Sequence, residues 1–200
     1  MNIVRNVWLH PRETTRYVIE HVRLPATLAF FWVTLLGVSM ASYHAKAEFA
    51  AEFTAVTLQQ FMIMYIVIAP FLIMLFLVGA GLITTWMGRF FKGKGTFIDI
   101  YKAIAVGHLP MLLPVPFMLA WLIVDTHGFL ISYHSLAGVI CFITSVIGSV
   151  SAFYLTIGTI AEAHRFGYKE SVLTLLIPAA LLMGFLFIIL VALVTFLIGN

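Results

Sequence analysis

Apolar residues along this chain run in long stretches, and the charges are confined between them. No Asp, Glu, Lys or Arg occurs in residues 24–43, 53–88, 103–124, 126–161 or 171–200. A helix that crosses the hydrocarbon core needs about 20 mostly apolar residues, and each stretch supplies them. Strands of a barrel would alternate in polarity over segments of about 10 residues, and these runs do not alternate. With no water to bond to, backbone groups in lipid must pair within their own segment, so each run is predicted to be helical. Two stretches exceed one crossing. The first opens with Thr54, Thr57, Gln59 and Gln60, the second with His127, Gly128, Ser132, Tyr133 and His134. Neither remainder has room for a turn and a second crossing. The expected fold is an all-α integral membrane protein, a bundle of five transmembrane helices with spans at about 24–42, 61–86, 103–124, 136–160 and 172–197.

Residues 1–23 precede the first span. His10-Pro11-Arg12-Glu13 reads as a helix start, with Pro at the first helical position and Glu facing the positive end of the helix dipole. A helix to about Val22 would place Trp8, Tyr17, Val18 and Val22 on lipid and Arg12, Arg16 and Glu20 toward water, as an interfacial amphipathic helix does. No apolar core with a small-residue cleavage site precedes the first span, so no cleavable signal peptide is expected.

Composition supports the membrane assignment. A soluble domain is about a quarter charged; this chain is 10% charged and 62% hydrophobic, with mean hydropathy +1.09. The surplus apolar surface excludes an ordinary soluble protein and gives no reason to expect a nucleic-acid partner.

Charge then orients the bundle. Basic residues flanking membrane helices stay in the cytoplasm. Ten of the eleven fall in the N-terminal segment and in the loops after the second and fourth spans, leaving Lys46 alone on the other side. That distribution predicts a cytoplasmic N-terminus and an outside C-terminus.

Two loops carry turn and cap chemistry. In the loop after the second span, Gly93 and Gly95 permit a tight turn and Thr96 is placed to cap the next helix. After the fourth span, Gly167 and Ser171 repeat that order, and Arg89-Phe90 and Arg165-Phe166 occupy corresponding places in a weak internal repeat. Pro110, Pro114 and Pro116 predict a kinked or partly unwound third span. Ser145, Gly148, Ser149 and Ala152 share one face of the fourth, which marks it as the central packing helix. The lone cysteine, Cys141, is expected to be a packing residue.

Chemical motifs are incomplete. Gly88-x4-Gly93-Lys94 begins like a phosphate-binding loop, but Gly95 stands where Ser or Thr should hold magnesium, and a membrane helix replaces the buried strand. Arg89, Lys92, Gly93, Lys94 and Gly95 remain candidates for contact with anionic lipid headgroups. His44, Glu48, Asp125, His127 and His134 lie in outer loops without diagnostic metal-ligand spacing, so no metal site is assigned. His108 and Pro110 in the third span, with Glu162, His164 and Arg165 ending the fourth, form a candidate functional cluster, because polar groups at that depth tend to have a role. No hydrolase, metalloprotease or voltage-sensor pattern occurs. The expectation is a protein with no catalytic residues and no cofactor.

Trp8-Leu9-His10-Pro11-Arg12-Glu13-Thr14, Gly93-Lys94-Gly95-Thr96-Phe97 and Ala163-His164-Arg165-Phe166, with Pro110 and Pro178, give the chain a resemblance to the bacterial branch of the Yip family (Ypt/Rab-interacting proteins). The resemblance covers nearly the whole chain. It implies five membrane helices, a cytoplasmic N-terminus, an inner-membrane location and no catalytic residues to transfer. Eukaryotic relatives are associated with Rab GTPases through a long N-terminal region; residues 1–23 are much shorter, so that partner is not carried over. The expected role is non-enzymatic: organising membrane lipids or a protein partner, or a homo-oligomer. The alternative is a small oligomeric permease or channel built on the broken third helix.

Overall fold

The computed structural model describes residues 3–49, 57–131 and 135–198. Every regular element among the described residues is helical. In order they are α1 (Ile3–Leu9), α2 (Pro11–His21), α3 (Leu24–Phe49), α4 (Leu58–Phe61), a π segment (Met62–Ile68), α5 (Ala69–Phe90), α6 (Phe97–Gly107), a 3-10 turn (Leu109–Leu112), α7 (Val115–Val124), α8 (Thr126–Ile131), α9 (Leu136–His164) and α10 (Tyr168–Ile198). Four helices are long and apolar enough to cross a membrane, and five if the bent pair at the third span counts as one crossing. The protein is therefore an all-helical, multi-pass membrane protein.

Proline placement explains both irregular spans. In the second, Pro70 has no N–H to give and its ring crowds the carbonyl four residues back. The turn before it widens into the π segment, and the Ala69 N–H bonds back to the carbonyl of Met64. The widened turn leaves the Tyr65 carbonyl free to accept from the Ser39 hydroxyl at 2.6 Å, which ties α3 to the second span. In the third, α6 ends at Gly107, the chain makes one 3-10 turn through Pro110, and α7 resumes at a bend of 41°. The predicted break is present, as a kink and a short unwound turn together.

Small residues take up the bulk at that break. A Cβ on Gly37 of α3 would collide with the Met111 carbonyl, and one on Gly148 of α9 would lie 3.0 Å from the Pro110 carbonyl. Gly107 packs in the same way on Thr156. Backbones at this closeness are the usual device of helix packing in lipid. Gly148 and Ala152 are buried, as expected of a packing helix. Ser149 reaches the Met111 sulfur at 3.6 Å, whereas Ser145 turns back to the Cys141 carbonyl of its own helix.

The outward faces are apolar. Phe71, Leu72, Leu75 and Phe76 on α5, and Phe142, Val150 and Phe153 on α9, are exposed. So is every described side chain of α10 from Ala179 to Ile189. Such surface is intelligible only against lipid.

The N-terminal segment differs from the expectation in one respect. Its α2 spans Pro11–His21, as predicted, but Val18 is buried with Val106 of α6 and Leu155 of α9 rather than facing outward. Thr14 and Thr15 are buried as well. A further helix, α1, precedes it and leaves Trp8 and Leu9 exposed.

Candidate functional site

At the end of the bundle where the basic residues gather, α2 lies across the ends of α6 and α9. Its Arg12 and Arg16 are four residues apart and so share a face. Both reach Glu162, which is buried near the end of α9. Arg12 donates from Nε to one carboxylate oxygen at 2.9 Å. Arg16 donates to the other, from Nε at 2.7 Å and Nη2 at 2.6 Å. The guanidinium of Arg16 is held above its ordinary pKa first by that hydrogen bond and then by the charge of Glu162. Arg12 also lies over the Tyr168 ring, 5.5 Å from its centroid. One carboxylate thus orients two arginines.

Lys102 secures the other end of α2. The residue is 7% exposed, and its ammonium donates to the carbonyls of Val18, Ile19 and Val22 at 3.3, 2.9 and 2.7 Å. Val18 already accepts from the Val22 N–H at 3.1 Å; all three carbonyls lie at a helix C-terminus, where the dipole favours a cation. Read as a sequence, Lys102 is only another topology charge; the contact requires α6 to pass under α2.

The loop after α5 closes the site. The Gly93 N–H bonds the Gly88 carbonyl at 2.9 Å and the Lys92 N–H bonds that of Arg89 at 3.0 Å, a Schellman end to the helix. At the end of α9 the Phe166 and Arg165 N–H groups do the same to Ala161 and Glu162, both at 3.1 Å. The left-handed positions of these two motifs hold Lys92 (φ 60) and Arg165 (φ 58), where glycine is the usual residue. The two helix ends share this cap, which places Lys92, not Arg89, in correspondence with Arg165. The incomplete phosphate-loop pattern is this helix cap. Thr96 then caps α6 in a reciprocal capping box with Asp99, as expected. Ser171 does not cap α10, which already begins at Tyr168; its hydroxyl donates to the Ile157 carbonyl at 2.6 Å.

The glycines of the loop do not supply positive φ, since no described glycine has one. They allow close approach. His164 is fully buried, stacked on Phe166 with ring centroids 4.9 Å apart. A Cβ on Gly88 would collide with its ring, and one on Gly93 would come within 2.5 Å of Nδ1. Neither ring nitrogen has a partner in good hydrogen-bond geometry among the described residues, although the Thr84 backbone lies beside the ring, so the imidazole acts here chiefly as a wedge. Gly95 is buried with its Cβ position against the Ala163 carbonyl. Gly93 and Gly95 are thus occupied with packing on α9, whereas Arg89, Lys92 and Lys94 are exposed.

These parts enclose a cleft of about 460 Å³. Its cations are Arg12, Arg16, Lys94 and Arg165; its carboxylates are Glu162, Asp99 and Glu20. The structure therefore joins Glu162 and Arg165 of the expected cluster with Lys94, and sets His164 immediately behind them. It does not bring in His108 or Pro110. Gly107 packs at the level of Thr156, about 9 Å along α9 from Glu162. His108 bonds the Ile104 carbonyl of its own helix at 2.9 Å and faces Phe31. Arg12 and Arg16 belong to the site, although the sequence pattern places them on the water-facing side of an interfacial helix. Their i, i+4 spacing beside a proline helix start was the available signal.

Among the described residues no group of three metal-binding side chains converges. Of the outer-loop residues considered as ligands, Asp125 accepts from the Gly128 N–H at 2.8 Å. His134 and the side chains of His44 and Glu48 lie outside the described residues.

No curated protein and no solved structure matches the chain. Family membership is nonetheless clear: the Yip1 domain matches residues 5–191, from the segment that leads into α2 to the far part of α10, and the chain belongs to the Yip1 family.

Proposed function

We propose that this Yip1-family protein is a non-enzymatic component of the bacterial inner membrane that organises anionic lipid, or a protein carrying similar charge, at its cytoplasmic face. In this reading the third span crosses as one bent unit, giving five spans with the N-terminus inside and the C-terminus outside. The segment formed by α1 and α2 sits at the interface, its buried side on the bundle and Trp8 and Leu9 toward the headgroups. The carrying observation is the cleft, where four cations from α2, the loop after α5 and the end of α9 converge at one end of an otherwise lipid-facing bundle. Outside the cleft, the exposed Arg89 and Lys92 add the attraction of about 1 kcal/mol per basic residue that anionic headgroups exert near the surface.

The permease alternative loses its motivating feature. The broken turn of the third span is packed by Gly37 and Gly148 rather than left open, and His108 is satisfied by its own helix.

The test is native mass spectrometry of the protein extracted with its surrounding lipid. Retention of anionic lipid or of a stoichiometric protein is expected. Lipid retention should fall in the triple variant Arg89→Gln, Lys92→Gln, Lys94→Gln. Zwitterionic lipid alone, with no partner, would overturn the reading. A C-terminal reporter active in the cytoplasm would overturn the orientation.

A further inference from the structure

The geometry points to the cleft at the α2–α9 junction as a binding site for a phosphate monoester, and we propose that this dianion is what the site recognises. The inference rests on the cytoplasmic orientation and lipid-facing role just proposed, and it names the ligand chemistry.

The cations are prepared for a ligand and not spent on one another. Glu162 takes the Nε edge of Arg12 and the Nε and Nη2 atoms of Arg16. A guanidinium has five N–H donors in a rigid fork, so the remaining edges stay available, fixed in direction by Glu162 and by the Tyr168 ring under Arg12. Fixing them in advance lowers the ordering cost of binding. Lys94 and Arg165 form no ion pair among the described residues. The Asp99 carboxylate is turned to the Thr96 hydroxyl and N–H at 2.7 and 3.0 Å.

Charge balance favours a discrete ligand over a diffuse basic patch. Four cations less the three carboxylates leave the lining at +1. Such a site has little long-range pull and must act through directed hydrogen bonds. Paired arginines present the geometry that phosphate oxygens accept bidentately. A monoester offers three terminal oxygens and close to two charges near neutral pH; a diester offers two oxygens and one charge. The cleft volume of about 460 Å³ falls among small-ligand sites.

Arg165 is the cleft cation that can be removed most cleanly. Its side chain lines the cleft, and it occupies a left-handed backbone position that a glycine would hold without strain. Lys92 holds the matching position on α5 without lining the cleft, so the backbone conformation by itself does not call for a ligand.

The source of the monoester is a lipid headgroup or a soluble phosphate ester, and the experiment separates them. The full-length protein is placed in phosphatidylcholine nanodiscs. Phosphatidic acid, a monoester lipid, is compared with phosphatidylglycerol, a diester lipid, and with glycerol 3-phosphate added in solution. Binding is read by native mass spectrometry and by thermal shift. Phosphatidic acid is expected to bind at least about tenfold more tightly than phosphatidylglycerol, one charge-assisted hydrogen bond being worth that much. A response to glycerol 3-phosphate alone would support the site and assign it to a soluble ester. Arg165→Gly should reduce binding about tenfold while the melting temperature holds or rises, because glycine relieves the backbone. Lys94→Gln should also weaken binding, and Lys169→Gln, at a residue that does not line the cleft, should leave it unchanged. Equal retention of monoester and diester lipid would overturn the monoester site while leaving the broader lipid role intact. Full binding by the Arg165→Gly and Lys94→Gln pair would overturn it as well.

Discussion

Two helices of this protein are made of similar apolar material and meet opposite fates. In α6, all eight residues from Ile100 to Gly107 are buried. In α10, all eleven from Ala179 to Ile189 are exposed. Apolarity does not separate them, because lipid receives a leucine as readily as a protein interior does. What distinguishes α6 is close backbone contact and polar pairing. Gly81 of α5 meets Phe97 and Tyr101, and Gly107 meets Thr156. The Tyr101 hydroxyl donates to the Met74 carbonyl at 3.2 Å, and Lys102 holds α2. From Ala179 to Ile189, α10 offers none of these among the described residues, and a Cβ on its Gly184 would meet nothing within 4 Å. Inside a bilayer, small residues and hydrogen bonds decide where helices meet; apolar area decides only that they stay in the membrane.

The sharpest way to break this contrast is a glycine exchange at each extreme. Gly37→Val drives a side chain into the Met111 backbone, which cannot swing aside, and should cost about 3 kcal/mol or prevent folding. The measurement is reversible unfolding in mixed micelles. The matching Gly184→Val should shift stability by less than about 0.5 kcal/mol. Equal losses would mean that α10 has a partner surface.

Removing the ammonium that α6 gives to α2 is the next largest change. Lys102→Met takes the ammonium from the carbonyls of Ile19 and Val22 and leaves Val18 only the Val22 N–H, a loss of about 1–3 kcal/mol. Hydrogen exchange should accelerate across residues 11–21 and hold steady in α10. Smallest is Thr96→Ala, which deletes the capping box of α6 and should lower stability by about 1 kcal/mol. The same substitution at Thr195, whose hydroxyl only bonds its own helix, should be silent.

Much of the fold was legible because lipid writes it plainly. A charge-free run of span length is a helix for want of any other way to satisfy its backbone, and the proline cluster predicted the break at Pro110. The Thr96 cap was also readable, since Thr followed three residues later by Asp is a local signal. The site was less so. Glu162 and Arg165 were visible as polar residues ending a span, but the partners of Glu162, Arg12 and Arg16, lie about 150 positions away, and no local pattern encodes such a pairing. Lys102 and the loop glycines were misread for the same reason. Charge near a membrane has a ready explanation in topology, and glycine in turns, so close packing against another helix leaves no separate trace.

The separation of Arg12 from Glu162 by 150 positions also sets an order of events during synthesis. The floor on which α2 rests, made by the ends of α6 and α9, is incomplete until the ribosome has passed His164. At roughly 5–20 residues per second, the N-terminal helix emerges first and then waits roughly 10–30 s for its seat. During that interval Arg12 and Arg16 lack Glu162, and the carboxylates that act on Arg16 are Glu20 and Glu13 of its own helix. Closing the α2 contact therefore adds to these local charges one that the ribosome supplies about 150 positions later.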